Sequence, residues 1–78
     1  MCLAIPAKIL SVDEGRIASV SILGVSRLAA LDLVPQATLG DYVLVHAGYA
    51  IEVIDEAMAR ETLDLIAQFP ELAGQAYG

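Results

Sequence analysis

The spacing of apolar residues changes once along this chain, at Asp55, and that change constrains the fold more than any other feature. Before Asp55, Gly, Asp and Pro interrupt short apolar runs at close intervals. In some of these runs apolar and polar residues strictly alternate. This pattern is typical of half-buried β-strands. After Asp55, apolar residues recur every third or fourth position, as on one face of an amphipathic helix. The sequence therefore predicts a β-rich body followed by one helix.

Five short strands are expected in the body. The predicted segments are residues 3–5 continuing at 8–12, then 16–22, 25–33, 41–47 and 49–54. Pro6 lacks a backbone N–H, which suits the start or the edge of a strand. Turns are expected at residues 13–15, where Gly15 can take a positive φ, and at Leu23-Gly24. Residues 34–40 predict a loop, and Gly48 is expected to break or bulge the last strand pair.

The helix is predicted over residues 55–69. Asp55 is a suitable N-cap, and Glu56 places a negative charge in the first turn, where it faces the positive end of the helix dipole. The predicted apolar stripe is Met58, Thr62, Leu65, Ile66 and Phe69. Pro70 ends the helix, and residues 70–78 show no pattern, which predicts a flexible tail.

These elements predict a mainly β fold, with a small partly open β-barrel over residues 1–54 and the helix packed against it as part of one domain. A chain of 78 residues has a thin core, which disfavours a deep catalytic cleft. Apolar residues make up 58% of the chain, against about 45–50% in typical soluble domains. We therefore expect an exposed apolar patch that serves as a partner interface.

Charge and hydropathy exclude several classes of function. The net charge of −6 argues against nucleic-acid binding, which needs Lys and Arg for phosphate. Most of the excess acidity lies in residues 52–78, either as a solvated helix face or as a complement to a basic partner. The longest uncharged runs, residues 17–26 and 42–51, are far shorter than the roughly 20 residues that span a membrane. With no signal peptide recognisable, a soluble cytoplasmic protein is expected.

Cys2 is the single cysteine, which excludes an internal disulfide and a cysteine-rich zinc site. Initiator Met1 is normally removed before a small residue, which would make Cys2 the N-terminal residue. A neighbouring α-ammonium group favours the thiolate, the form that acts as nucleophile and metal ligand. Alternatively, Cys2 is a small apolar side chain at a strand end.

His46 is the single histidine, and on a strand it shares a face with Tyr42 and Leu44. It is either a hydrogen-bonded structural residue or a ligand or partner near Cys2. A Cys–His hydrolase is disfavoured by the chain's small size, and the absence of Asn excludes a Cys–His–Asn set, although an Asp could orient the histidine. An oligonucleotide-binding barrel is disfavoured by the scarcity of basic and aromatic residues.

Two motifs resemble the HypC/HupF/HybG family of [NiFe]-hydrogenase maturation chaperones. The opening Met-Cys-Leu-Ala-Ile-Pro is similar to the family's Met-Cys-x-x-x-Pro start. Residues 40–51, read as GDYVLVHAGYAI, resemble its Gly-Asp-aromatic-Val-Leu-Val-His-x-Gly-aromatic-Ala segment. Residues 55–63 resemble its helical end, so that order, spacing and length agree over about residues 1–66.

The resemblance implies an OB-like barrel with a C-terminal helix and no enzymatic activity of its own. It implies a role in assembling the Fe(CN)2CO group with a HypD-type scaffold protein and delivering it to the hydrogenase large-subunit precursor. The family's essential cysteine matches Cys2, which would bind the iron transiently while sharing it with the partner. His46 matches the family's histidine, a possible further ligand, and Cys2, Pro6 and His46 are the expected partner contacts.

The alternative is a generic small protein–protein interaction module in which the N-terminal cysteine is incidental.

Overall fold

The computed structural model describes residues 4–68 and has the predicted order of five strands followed by one helix. The elements are β1 (Ile5–Val12), β2 (Ile17–Ile22), β3 (Val25–Ala30), β4 (Tyr42–His46), β5 (Tyr49–Ile54) and α1 (Glu56–Ala67). Within the described residues, no helix is long and apolar enough to cross a membrane. The predicted tail, residues 70–78, lies outside the described part of the chain.

The strands form a closed barrel in the order β1-β2-β3-β5-β4, which confirms the prediction of a small OB-like barrel with a C-terminal helix. All neighbouring pairs are antiparallel except β3 and β5, which run parallel. This β3–β5 seam is short, with one register pair, Ala30 opposite Tyr49. The Ala30 N–H donates to the Gly48 carbonyl at 2.9 Å, so the seam that was expected to stay partly open is closed by a small contact.

Two of the hairpins turn through residue pairs that both have positive φ. Leu23 and Gly24 have φ of 51° and 83°, and Ala47 and Gly48 have φ of 51° and 84°. Two such residues in a row form the type I′ turn, whose twist matches that of the flanking strands. Gly48 therefore separates β4 from β5, as expected of a break, and it does so within a tight hairpin turn and not as a bulge.

The first turn differs from the prediction. Arg16, with φ of 62°, takes the left-handed conformation that was expected of Gly15. Its N–H donates to the Asp13 carbonyl at 3.1 Å, and the Asp13 carboxylate accepts from the Ile17 N–H at 2.9 Å. The Asp13 side chain thus fixes the turn one residue later than composition suggested.

The loop between β3 and β4 begins earlier than predicted, because β3 ends at Ala30 and not at residue 33. Leu31, Val34 and Ala37 are buried at every third position and belong to the core. The Val34 and Ala37 N–H groups each donate to the carbonyl three residues earlier, at 3.0 and 2.9 Å. Successive tight turns, and not an extended strand, therefore carry these apolar side chains into the barrel.

Helix α1 begins at the predicted N-cap, since the Asp55 carboxylate accepts from the Ala57 N–H at 3.3 Å. The predicted buried stripe is confirmed at Ile66 and is wrong at Met58 and Leu65. Ala59 and Ile66 are buried and Leu63 packs on the core, whereas Met58 and Leu65 are 57% and 56% exposed. The small Ala59 faces the barrel where Met58 was expected, which rotates the stripe by about one residue. Phe69, the last member of the predicted stripe, lies outside the described residues.

Candidate partner-binding and metal-ligand site

Pro6 lies in β1 opposite Leu44 of β4. Pairing of β1 with β2 begins only at Lys8, so Pro6 has one strand neighbour and its missing N–H interrupts no ladder, as predicted for an edge position. Pro6 is fully buried, as are its neighbours Ile5 and Ala7 on the opposite face of the strand. Helix α1 also lies against β1 and β4.

His46 is the last residue of β4 and, as predicted, lies on the same face as Tyr42 and Leu44, while Val43 and Val45 point into the core. Its side chain is half-buried. The pair of Ile5 with Val45 places His46 next to the point where the chain enters β1. Within residues 4–68 the imidazole makes no hydrogen bond. The described part of the chain therefore gives no support to a hydrogen-bonded structural role.

Pro6 and His46 lie on the same side of the β1–β4 pair, where Pro6 is buried and His46 is partly exposed. Pro6 is opposite Leu44, and His46 is two residues further along the same face of β4. Diagonal neighbours of this kind have Cβ atoms about 7 Å apart. Cys2 lies outside the described residues, so its role as a metal ligand and partner contact stays a prediction.

Tyr49 is a site residue that the sequence reasoning missed. It lies directly opposite His46 across the type I′ turn and is 50% exposed. Tyr49 also pairs with Ala30 across the seam, and Ala30 pairs with Ile17 of β2. These pairs form one outward-facing line across four strands. We call it the seam row, and its members are Ile17, Ala30, Tyr49 and His46.

Treating Ala47-Gly48 as a two-residue turn would have revealed this pairing. A turn of that length places the flanking residues opposite each other, and here those residues are His46 and Tyr49. Because the sequence analysis leaves a break and a bulge at Gly48 both open, it does not predict that Tyr49 lies beside the histidine.

Electrostatics divide the surface into two parts. The seam row contains no Lys, Arg, Asp or Glu, whereas α1 and the residues leading into it are acidic. On the helix, the ion pair of Arg60 with Glu56 is exposed, at 3.8 Å. Within residues 4–68, no group of three His, Asp or Glu side chains is placed to hold a metal ion.

Comparison with known proteins agrees with the geometry. The family model described as the HupF/HypC family matches residues 1–66. The chain belongs to this family. The match includes both sequence motifs, the whole barrel and nearly all of α1.

Individual members of the HupF/HypC family are similar over most of the chain. The hydrogenase maturation factor HypC of Helicobacter hepaticus is 49% identical over 69 residues, covering 87% of this chain and 80% of that protein. The factor of the same name from Cupriavidus necator is 44% identical, covering 87% and 76%. The Escherichia coli K12 factor is 38% identical and covers 100% of this chain and 97% of its own length.

Proposed function

We propose that this protein is a hydrogenase maturation chaperone that takes part in assembling the Fe(CN)2CO group and delivers it to the [NiFe]-hydrogenase large-subunit precursor. In this proposal Cys2 binds the iron while a HypD-type scaffold protein shares it. Relatives named as hydrogenase maturation factors, 38–49% identical over most of the chain, support the general role. The motif Met-Cys-x-x-x-Pro supports the assignment to Cys2.

The placement of His46 is the observation that carries the proposal. His46 lies on the outer face beside the entry to β1 and makes no hydrogen bond within residues 4–68. Cys2 is three residues before Ile5, and each trans peptide advances the chain by about 3.8 Å, so Cys2 Cα is held within about 11 Å of Ile5 Cα. The Cys2 thiolate can therefore reach the region of the surface where the His46 imidazole lies.

The chemistry of the two side chains suits this cargo. Thiolate is a soft ligand and suits iron that also carries cyanide and carbonyl. One cysteine and one histidine do not complete an iron coordination sphere, so the partner supplies further ligands while the group is assembled. Iron held by a residue near a chain terminus can pass from one partner to the next. Pro6 lies in the buried start of β1, and its fixed φ restricts the backbone next to the segment that contains Cys2. This chain positions the iron unit and carries out no catalytic step.

The alternative function is a generic interaction module with an incidental Cys2. It is favoured by exposed apolar side chains such as Leu28, Leu33 and Leu39, which are at least 62% exposed. Such surfaces bind partners without any metal. The two functions differ in whether the cysteine carries iron.

The test is anaerobic purification of C-terminally tagged protein from cells that contain the hydrogenase maturation proteins, followed by infrared spectroscopy. We expect cyanide and carbonyl bands on the wild-type complex. Cys2→Ala should lose these bands while its thermal unfolding is unchanged, because the substitution removes the thiolate and leaves every core side chain of residues 4–68 in place. Bands of equal intensity in Cys2→Ala would overturn the ligand assignment. Wild-type protein that carries no bands and recovers no maturation protein would leave the interaction module as the better description.

His46→Ala provides the second arm of the same experiment. We expect a partial loss of the bands, because the imidazole lies beside the site but the thiolate carries the iron. Unfolding of this variant at the wild-type temperature would show that the substitution leaves the barrel intact. A large loss of stability would instead assign His46 a structural role.

A further inference from the structure

We propose that the seam row, together with Leu28, is the surface on which the iron-sharing scaffold protein docks, and that Tyr49 is its central contact. This inference rests on the proposed function and names the partner surface for it. It adds Leu28 and Ile17 to the motif residues and gives Tyr49, the second aromatic residue of the motif at 40–51, a role.

The geometry provides a continuous apolar surface at this place. Leu28 is two residues before Ala30 on the same face of β3 and is 70% exposed, the most exposed large apolar side chain of the described residues. Tyr49, at 50%, and Ile17, at 36%, continue the surface on either side of Ala30. Directly paired residues on one face of a sheet have Cβ atoms about 5 Å apart, so these side chains are neighbours.

The surface is continuous with the region that Cys2 can reach. The seam row ends at His46, and His46 is next to the pair of Val45 with Ile5 that opens β1. A protein that supplies ligands to iron on Cys2 must contact this chain within a few ångströms of the metal. The seam row is the exposed apolar surface that begins there. Helix α1 lies against β1 and β4. Its outer face presents acidic side chains between Met58 and Leu65.

Charge favours a different protein over a second copy of this chain. The seam row carries no charged side chain, so covering it leaves no buried unpaired charge. The chain as a whole carries −6, and two copies would repel each other. The surface therefore fits a partner with an apolar centre and a basic rim that faces the acidic residues of this chain.

Tyr49 has the properties of a central contact. Tyrosine brings a large apolar ring and a hydroxyl that can hydrogen-bond at low cost in side-chain entropy, and it is enriched among residues that dominate binding energy. Its neighbours in the row are the small Ala30 and the partly exposed His46, and half of the tyrosine surface stays open to a partner.

The test is calorimetric titration of the purified HypD-type scaffold protein with variants of this chain, under anaerobic conditions. We expect Tyr49→Ser to weaken the dissociation constant by about 30-fold and Leu28→Ser by about fivefold. The matched control is Leu65→Ser on α1, which removes an equally exposed apolar side chain and should change the constant by less than about twofold. Because Leu28 is largely exposed, its substitution leaves folding intact even if Tyr49→Ser disturbs the hairpin.

The outcomes separate this inference from the proposed function. Wild-type binding and infrared bands that persist unchanged in Tyr49→Ser and Leu28→Ser would overturn the docking surface and leave the function in place. Loss of affinity in Leu65→Ser equal to that in Tyr49→Ser would assign the interface to the helix instead. Self-association of the wild type that Tyr49→Ser abolishes, measured by sedimentation, would make a second copy the occupant. No binding or bands in the wild type would overturn the proposed function itself.

Discussion

Arg16 holds the loop between β3 and β4 through a single nitrogen. Its Nη2 lies 2.8 Å from the Pro35 carbonyl oxygen, 3.1 Å from that of Ala37 and 3.4 Å from that of Val34. The Arg16 carbonyl also accepts from the Leu31 N–H at 2.9 Å. The left-handed backbone at Arg16 is an uncommon conformation for a residue with a side chain. The loop contacts offset its cost.

We predict that Arg16→Ala lowers the free energy of unfolding by about 2 kcal/mol. Hydrogen bonds that involve a charged group contribute about 1.5–3 kcal/mol, and this side chain is only partly exposed. The measurement is urea unfolding followed by circular dichroism. The matched control is Arg60→Ala, which removes an exposed ion pair with Glu56 and should cost less than about 1 kcal/mol. Equal costs for the two variants would show that the loop holds its shape without Arg16.

At the scale of elements, the β4–β5 hairpin does two things at once. Its turn pairs His46 with Tyr49, and the Gly48 carbonyl accepts the hydrogen bond that closes the seam to Ala30. The β2–β3 hairpin has the same turn, with Gly24 at φ of 83° and Gly48 at 84°. A Cβ at either glycine would meet no atom within 4 Å. The two glycines therefore have the same backbone conformation and the same free space for a Cβ, but only Gly48 accepts a hydrogen bond at the seam.

We predict that Gly48→Ala lowers stability more than Gly24→Ala does. Each substitution imposes a left-handed conformation on alanine, at a cost of about 1–2 kcal/mol. Relaxation of the strained turn at residue 48 also shifts the carbonyl that accepts from Ala30, which adds about the net value of one hydrogen bond, roughly 1 kcal/mol. Chemical denaturation of both variants measures the difference. Identical losses would mean that the seam tolerates movement of this turn.

The sequence predicted the kinds of element well and their junctions less well. Alternation of Ala18, Val20 and Ile22 with serines identified the inner face of β2, and Asp55 identified the start of α1, because both signals are local. The end of β3 was placed three residues too late, since Leu31 and Leu33 are apolar alike and only the finished barrel decides which is buried. The stripe of α1 was misplaced for the same reason, as Ala59 is a weak hydrophobic signal but fits closely against the barrel.

The candidate site was predictable only as far as its motifs extend. The sequence motifs single out Cys2, Pro6 and His46, and the structure places Pro6 and His46 on the same side of the β1–β4 pair, with Pro6 buried and His46 partly exposed. The seam row depends on pairs between β2, β3, β5 and β4 that are distant in sequence, and the parallel contact of Ala30 with Tyr49 leaves no local signal. Long-range pairing of this kind follows from closure of the barrel and not from any single segment.

At the scale of the whole molecule, the barrel interior combines several buried alanines with larger aliphatic side chains. Five buried alanines line it, one each from β1, β2, β3, the loop between β3 and β4, and β5. Each is at most 1% exposed: Ala7, Ala18, Ala29, Ala37 and Ala50. Larger side chains such as Ile9, Val20 and Val43 occupy the remaining volume. Small barrels commonly combine small and large inward residues in this way. Closure of the five strands therefore depends on side chains that occupy little space.

We predict that Ala18→Leu destabilises the barrel by about 1–3 kcal/mol. Ala18 is fully buried opposite another buried alanine, Ala29. Added methylenes in a packed core force neighbouring side chains from their preferred rotamers. The control is Ser19→Val on the outer face of the same strand, which raises β-propensity without entering the core and should stay within about 0.5 kcal/mol. Thermal and urea unfolding measure both. If Ala18→Leu were as stable as wild type, the interior would have room for a leucine. Lack of space would then not be the reason for alanine at these positions.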